Sequence, residues 1–192
     1  MEDRIRKLFS QSAQVLSAME QEGVATLAKI VRLLIDCYER RGKVIVFGNG
    51  GSAADSQHIA AELVGRFHKE RRALACIALT TNTSILTALS NDYDFDCVFE
   101  RQIQALGAAG DIAWGISTSG SARNVLRGLN AARQAGLSCI AFTGQKGTAL
   151  RAVTDACLVV PSVETPRIQE AHITAAHIVC ELVEDALVDT AF

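Results

Sequence analysis

Proline is nearly absent from this chain. Pro161 and Pro166 are the only two among 192 residues, and both bracket the segment before the last apolar helix, so no expected helix or strand carries a breaker in its interior. Paired cysteines are missing as well. Cys37, Cys76, Cys97, Cys139, Cys157 and Cys180 are scattered without a CxxC, and Cys76, Cys139 and Cys157 fall inside expected strands. That pattern reads as small, buried, reduced hydrophobes of a cytosolic protein. There is no basic run, and the formal net charge is −2, which disfavours nucleic-acid binding by bulk electrostatics. No apolar stretch reaches the roughly 20 residues of a membrane span. Met1-Glu2-Asp3-Arg4 opens a charged amphipathic segment where a signal peptide would be apolar, so a cytoplasmic location is expected. No repeat, linker or low-complexity stretch interrupts residues 1–192, which read as one domain.

What is present suits a globular α/β domain. Hydrophobic residues make up 49% and charged residues 21%, and the length allows a real core. Near-continuous apolar runs predict strands at Val44–Phe47, Leu74–Leu79, Ile112–Ile116, Ser138–Phe142 and Cys157–Val160. Lack of alternation marks a parallel sheet covered on both faces. Helical spacing predicts helices over 3–21, 24–38, 53–66, 83–90, 97–108, 121–135 and 167–190, with a short turn at 147–152. The expected fold is a three-layer α/β/α sandwich, a doubly wound five-stranded parallel sheet with two leading N-terminal helices. Those helices, within residues 1–40, carry apolar stripes (Ile5, Leu8, Phe9, Leu16) that another subunit would cover.

The stretch KVIVFGNGGSAADSQHIAAELVGRF, residues 43–67, organises the rest. A buried strand runs into Gly48-Asn49-Gly50-Gly51-Ser52 and then into a helix bearing His58 and Glu62 one turn apart. Glycines allow close backbone approach, and a helix start offers free N–H groups to an anion. Ligands of doubly wound sheets sit beyond the carboxyl ends of the strands. The other strands end in Thr80-Thr81-Asn82-Thr83, Ser117-Thr118-Ser119-Gly120-Ser121 and Thr143-Gly144-Gln145-Lys146-Gly147. Hydroxyls, glycines and helix starts at such density suit a phosphate ester. A plain N-cap with an ST-turn would use only one hydroxyl of the serine loop, which has four in five positions.

Three of the four histidines, His58, His172 and His177, lie in the helix after the first strand and in the last helix. With Glu62 and Gln169 they supply the imidazole, carboxylate and amide donors of a borderline-metal shell, zinc above all. Gln169 and His177 are separated by about 12 Å of rise and about 80° of rotation on a regular helix. Either Gln169 belongs to a loosened first turn, or the site draws on two subunits. His172 and Glu170 point to other faces and read as structural.

Four ordered segments, GNGGSAADSQHIAAELVGRF, SNDYDFDCVFERQIQALGAAGD, GISTSG and RIQEAHITAAHIVCELVE, resemble the phosphoheptose isomerase family of sugar-isomerase (SIS) domains over nearly the whole chain. The resemblance implies a homotetramer with one zinc ion per subunit. It implies interconversion of sedoheptulose 7-phosphate and D-glycero-D-manno-heptose 7-phosphate, toward the heptose of lipopolysaccharide. Carried over by position, the zinc ligands are His58, Glu62, Gln169 and His177. The substrate-binding residues are Asn49, Gly50, Gly51, Glu62, Asn91, Asp92, Ser117, Thr118, Ser119 and Gln169, with Ser52 and Ser121 joining them from the loop reading. Glu62 and His177 form the expected acid–base pair. Two positions depart from the family pattern: STSGNS reads STSGSA here, placing Ala122 where a phosphate-binding serine stands, and the usual double glycine reads Lys146-Gly147-Thr148. A non-catalytic adaptor on the same fold, of the replication-initiator-associating type, is the alternative. It would have no reason to keep the four zinc ligands. Isomerisation of a different phosphorylated sugar is another.

Overall fold

The computed structural model describes residues 1–188. Helices α1 (Glu2–Glu22) and α2 (Val24–Glu39) lead into β1 (Val44–Gly48) and α3 (Gly51–Val64). Then follow β2 (Cys76–Ala78), α4 (Thr83–Asp92), a 3₁₀ turn (Phe95–Cys97) and α5 (Val98–Leu106). The second half runs β3 (Ile112–Ser117), α6 (Arg123–Gln134), β4 (Ser138–Gly144), α7 (Thr148–Arg151), β5 (Ala156–Val160) and α8 (Thr165–Leu187). Positions 189 and 190 of the expected last helix lie outside the described residues.

All five strands pair in parallel in the order β2-β1-β3-β4-β5. The apolar strand runs therefore do what parallel strands must, burying both faces. Along β1, Val44 and Val46 enter the core under α2, α3 and α8, whereas Ile45 and Phe47 enter the opposite core under α5 and α6. The result is the expected three-layer α/β/α sandwich. All six cysteines are free thiols. Among the described residues, no helix is long and apolar enough to cross a membrane.

The largest departure from expectation is β2, three residues long where six were expected. It pairs only with β1, at the sheet edge, and the Leu74 amide ahead of it donates to the Leu63 carbonyl at the end of α3. A buried carboxylate fixes the amino end of the sheet at its centre. Asp111, just before β3, accepts the amides of Lys43 (3.0 Å) and Ala108 (2.9 Å) and pairs with the Lys43 ammonium. This satisfies β1 and β3 where they enter and leaves their carboxyl ends to the ligand loops.

α1 lies across the first turns of α8. Ser12 and Arg167 both donate to the Glu170 carboxylate, and Arg167 reaches the Leu8 carbonyl at 3.1 Å. Glu170 is thus structural, as its helix face suggested. Much of α1 stays uncovered: Ile5, Leu8, Leu16 and Phe9 (74% exposed) face outward, as do Val24, Ile178 and Leu182.

Candidate functional site

The adjacent strands β1 and β3 have connections that run in opposite directions, which opens a crevice beyond their carboxyl ends. Both glycine- and serine-bearing loops meet there. After β1 the chain turns at Gly50, whose φ of +57° lies in the left-handed region that glycine adopts without strain. α3 then starts at Gly51, two residues ahead of expectation, and the Ser52 and Ala53 amides bond back to the Asn49 and Gly50 carbonyls at 3.0 Å each. An added Cβ at Gly51 would lie 2.3 Å from the Gln169 amide nitrogen, so a side chain there would displace the Gln169 amide. Ser52 is 2% exposed and packs against Gly48, so it supports the loop from beneath.

Across the crevice Ser117 ends β3. Its Oγ accepts the Gly120 amide at 3.2 Å, a turn closed by Gly120 at φ +67°. Ser117 therefore makes the turn that one hydroxyl suffices for, while Ser119 and Ser121 stand exposed with their hydroxyl oxygens 3.1 Å apart. Thr118 is half-buried, and its carbonyl accepts the Gly144 amide at 3.1 Å. Ala122 occupies the N-cap of α6 and offers no side-chain cap. Arg123, the neighbour that could replace the missing donor, is turned to Asp96 at 3.0 Å. The loop after β4 seats its backbone on the serine loop: a Cβ on Gly120 would lie 2.2 Å from the Gly147 Cα, and one on Gly147 would lie 2.0 Å from the Thr143 hydroxyl.

One residue that sequence reasoning missed locks the two sides. Asn124 and Asn49 exchange amide hydrogen bonds of 2.9 Å in both directions, and Asn124 Oδ1 also accepts the Val125 amide. Nothing in the local pattern marked Asn124 beyond its place in the first turn of the helix after the serine loop. Asn91 and Asp92 close the exposed last turn of α4, with Asn91 donating to Asp92 at 2.8 Å.

The histidine cluster forms between α3 and α8. His58 Nε2 lies 3.1 Å from Glu62 Oε1 and 2.9 Å from His177 Nε2. One donor atom from each of the three lies within 4.8 Å of the others, close enough to share a metal ion. Two imidazoles and one carboxylate are a borderline donor set suited to zinc. Gln169 lies inside regular α8, so its first turn is not loosened, and its amide sits at Gly51, two turns of α3 before His58. Asp55 shares the His58/Glu62 face of α3 at helical spacing, a signal available in the sequence and passed over there. Its Oδ2 is buried without a partner; desolvation raises its pKa and His58 partly offsets that. His172, by contrast, is a core residue, 1% exposed, and its ring packs against Phe142.

Fold and site together define a SIS-domain protein, and the SIS domain family model matches residues 7–144. The chain is 51% identical over 185 residues to the phosphoheptose isomerase of Aquifex aeolicus, covering 96% of this chain and 97% of that one. With the phosphoheptose isomerase of Geobacter sulfurreducens it shares 52% identity over 187 residues, covering 97% and 99%. The solved phosphoheptose isomerase of Neisseria gonorrhoeae matches with a TM-score of 0.90 at 41% identity, over 96% of this chain and 98% of that one. The chain belongs to the phosphoheptose isomerase family.

Proposed function

We propose that this chain is an aldose–ketose isomerase that interconverts sedoheptulose 7-phosphate and D-glycero-D-manno-heptose 7-phosphate. The observation that carries the reading is the convergence of Glu62 and His177 with His58, beside a crevice rimmed by Ser119, Ser121 and the Gly50-Gly51 turn. An aldose–ketose shift moves one carbon-bound proton between C1 and C2 and one oxygen-bound proton between O1 and O2. In the ketose-to-aldose direction Glu62 takes a proton from C1 and returns it to C2. His177 carries the O1 proton to O2, and the enediol formed between the two transfers stays bound.

The phosphate is held at the serine loop by Ser117, Thr118, Ser119 and Ser121, with backbone donors of that turn. Asn49, Gly50, Gly51, Asn91, Asp92 and Gln169 contact the sugar, and Ser52 holds the first loop in shape. His58, Glu62 and His177 are the side chains that would hold a zinc ion; the Gln169 amide lies at Gly51, two turns of α3 before His58, so a fourth ligand of that kind would come from a second subunit. Bound there, the metal supplies Lewis acidity that polarises the sugar carbonyl.

The uncovered apolar face of α1 and α8 supports assembly as a homotetramer with residues 1–40 in the interface. A phosphorylated heptose substrate supports a cytoplasmic location and a role on the route to the heptose of lipopolysaccharide. Ala122 is the one observation that favours the alternatives, a non-catalytic adaptor or an isomerase of another sugar phosphate, because it removes a phosphate donor. The assembled triad outweighs it. The test is incubation of purified protein with sedoheptulose 7-phosphate, with and without zinc, and detection of the aldose. No product under either condition refutes the isomerase and leaves the adaptor.

A further inference from the structure

Directly behind the triad lies an ion pair that the reaction itself does not use. Arg71 and Glu184 face each other at 3.1 Å with side chains only 1% exposed. Removing two charges from water costs several kcal/mol per ion, so such a pair is poorly explained by stability alone. Its remaining bonds show what it holds. Arg71 donates to the carbonyls of Glu62 (2.8 Å), Leu63 (2.9 Å) and Gly65 (3.1 Å), the last turn and cap of α3, and to its neighbour Arg72 (2.9 Å). These are the carbonyls a helix end leaves without partners, at the negative pole of its dipole. Glu184 accepts the consecutive amides of Phe67 (2.7 Å), His68 (2.6 Å) and Lys69 (2.6 Å).

The bonds tie the two halves of the triad together. Glu62 and His58 ride on α3; His177 rides on α8. Glu184 lies two turns beyond His177 on the same face of α8, since seven residues return within about 20°. The segment Glu184 grips places the Phe67 ring 5.7 Å from the His177 ring, centroid to centroid. A shift in the pair therefore moves the Glu62 backbone, the Phe67 ring and α8 together. We infer that Arg71 and Glu184 are positioning residues: their buried pair sets the approach of α3 to α8, and so the spacing of His58, Glu62 and His177. The inference rests on the proton-transfer role given to Glu62 and His177. Desolvation would push the Glu184 carboxyl up, but the three amides and Arg71 outweigh it and hold the group charged. Its neutral isostere thus removes an interaction present at every working pH.

The test compares Glu184→Gln with Asp111→Asn, which breaks an ion pair with Lys43 between the starts of β1 and β3 and touches neither α3 nor α8. Three readouts are taken on folded protein: imidazole ¹³C and ¹⁵N shifts of His58 and His177, zinc affinity by chelator competition, and kcat with KM. In Glu184→Gln the imidazole shifts move, zinc affinity falls roughly 10–100-fold, as for other partners that orient metal ligands, and kcat falls more than KM changes. Asp111→Asn lowers the melting temperature without these effects. Equal behaviour of the two variants, or wild-type shifts in Glu184→Gln, overturns the proposal. Should Glu184→Gln not fold, Arg71→Lys is read in the same way, since it keeps the charge but loses the fork over the α3 carbonyls. If neither folds, the pair belongs to the fold alone and the proposal is wrong. The imidazole shifts need no turnover, so they separate this proposal from the isomerase reading: an inactive wild type with moved shifts refutes only the latter.

Discussion

His58 and His177, 119 positions apart, bring their Nε2 atoms to 2.9 Å. Two imidazole lone pairs cannot face each other at that separation, so one ring donates an N–H to the other unless both turn their lone pairs to a shared ion. Zinc at a hundred times its dissociation constant stabilises the fold by about 2.7 kcal/mol. For a domain of this size that raises the melting temperature by roughly 5–10 °C. Calorimetry of zinc-loaded and chelator-treated protein measures the shift, and His177→Ala is expected to lose most of it.

Glu62→Gln keeps the shape of the side chain and removes its basicity. General acid–base transfer contributes roughly 10²–10⁴ in rate, so kcat should fall by that factor. Turnover near the wild-type value would take Glu62 out of the proton-transfer role.

Ala122 offers a gain-of-function test. Ala122→Ser places a hydroxyl at an N-cap that has none. Capping is worth about 0.5–2 kcal/mol, and a charge-assisted bond to phosphate roughly 1.5–3 kcal/mol. Two separable outcomes are expected: a higher melting temperature without ligand, and a KM for the heptose phosphate lower by roughly tenfold or more. A stability gain with unchanged KM would mean the hydroxyl caps α6 and never meets the phosphate.

His172 gives the fold an acid limit. Desolvation pushes its pKa from 6.5 down to about 4. The unfolded chain therefore takes up this proton first as pH falls, and stability is lost between about 6.5 and 4. The loss amounts to about 3 kcal/mol. Urea unfolding at several pH values should show a slope over that window that is flatter in His172→Gln.

The layers, the parallel pairing and the loop positions were legible because each is written locally, in apolar runs and the glycines and hydroxyls that end them. β2 is shorter than its apolar run for a physical reason. Leu74 and Leu79 are as apolar as the strand between them, but at an edge only three residues pair in register with β1. The helix expected over 83–90 runs on to Asp92, so Asn91 and Asp92 lie in the last turn of α4. Two of the three triad residues could be read from the i, i+4 spacing of His58 and Glu62; the closure by His177 is a product of the fold. Asn124 with Asn49, and Arg71 with Glu184, join positions too far apart for any spacing rule to connect.

Gly120 and Gly147 sit backbone against backbone, with the Thr143 hydroxyl wedged beside them. The serine loop and the loop after β4 are consequently one mechanical piece, and neither can be lengthened or re-bent alone. New preferences within this lineage would have to arise from side-chain exchanges at positions such as 119, 121 and 122. STSGSA is an instance of that kind: the main chain stays put while the chemistry it presents is edited one atom group at a time.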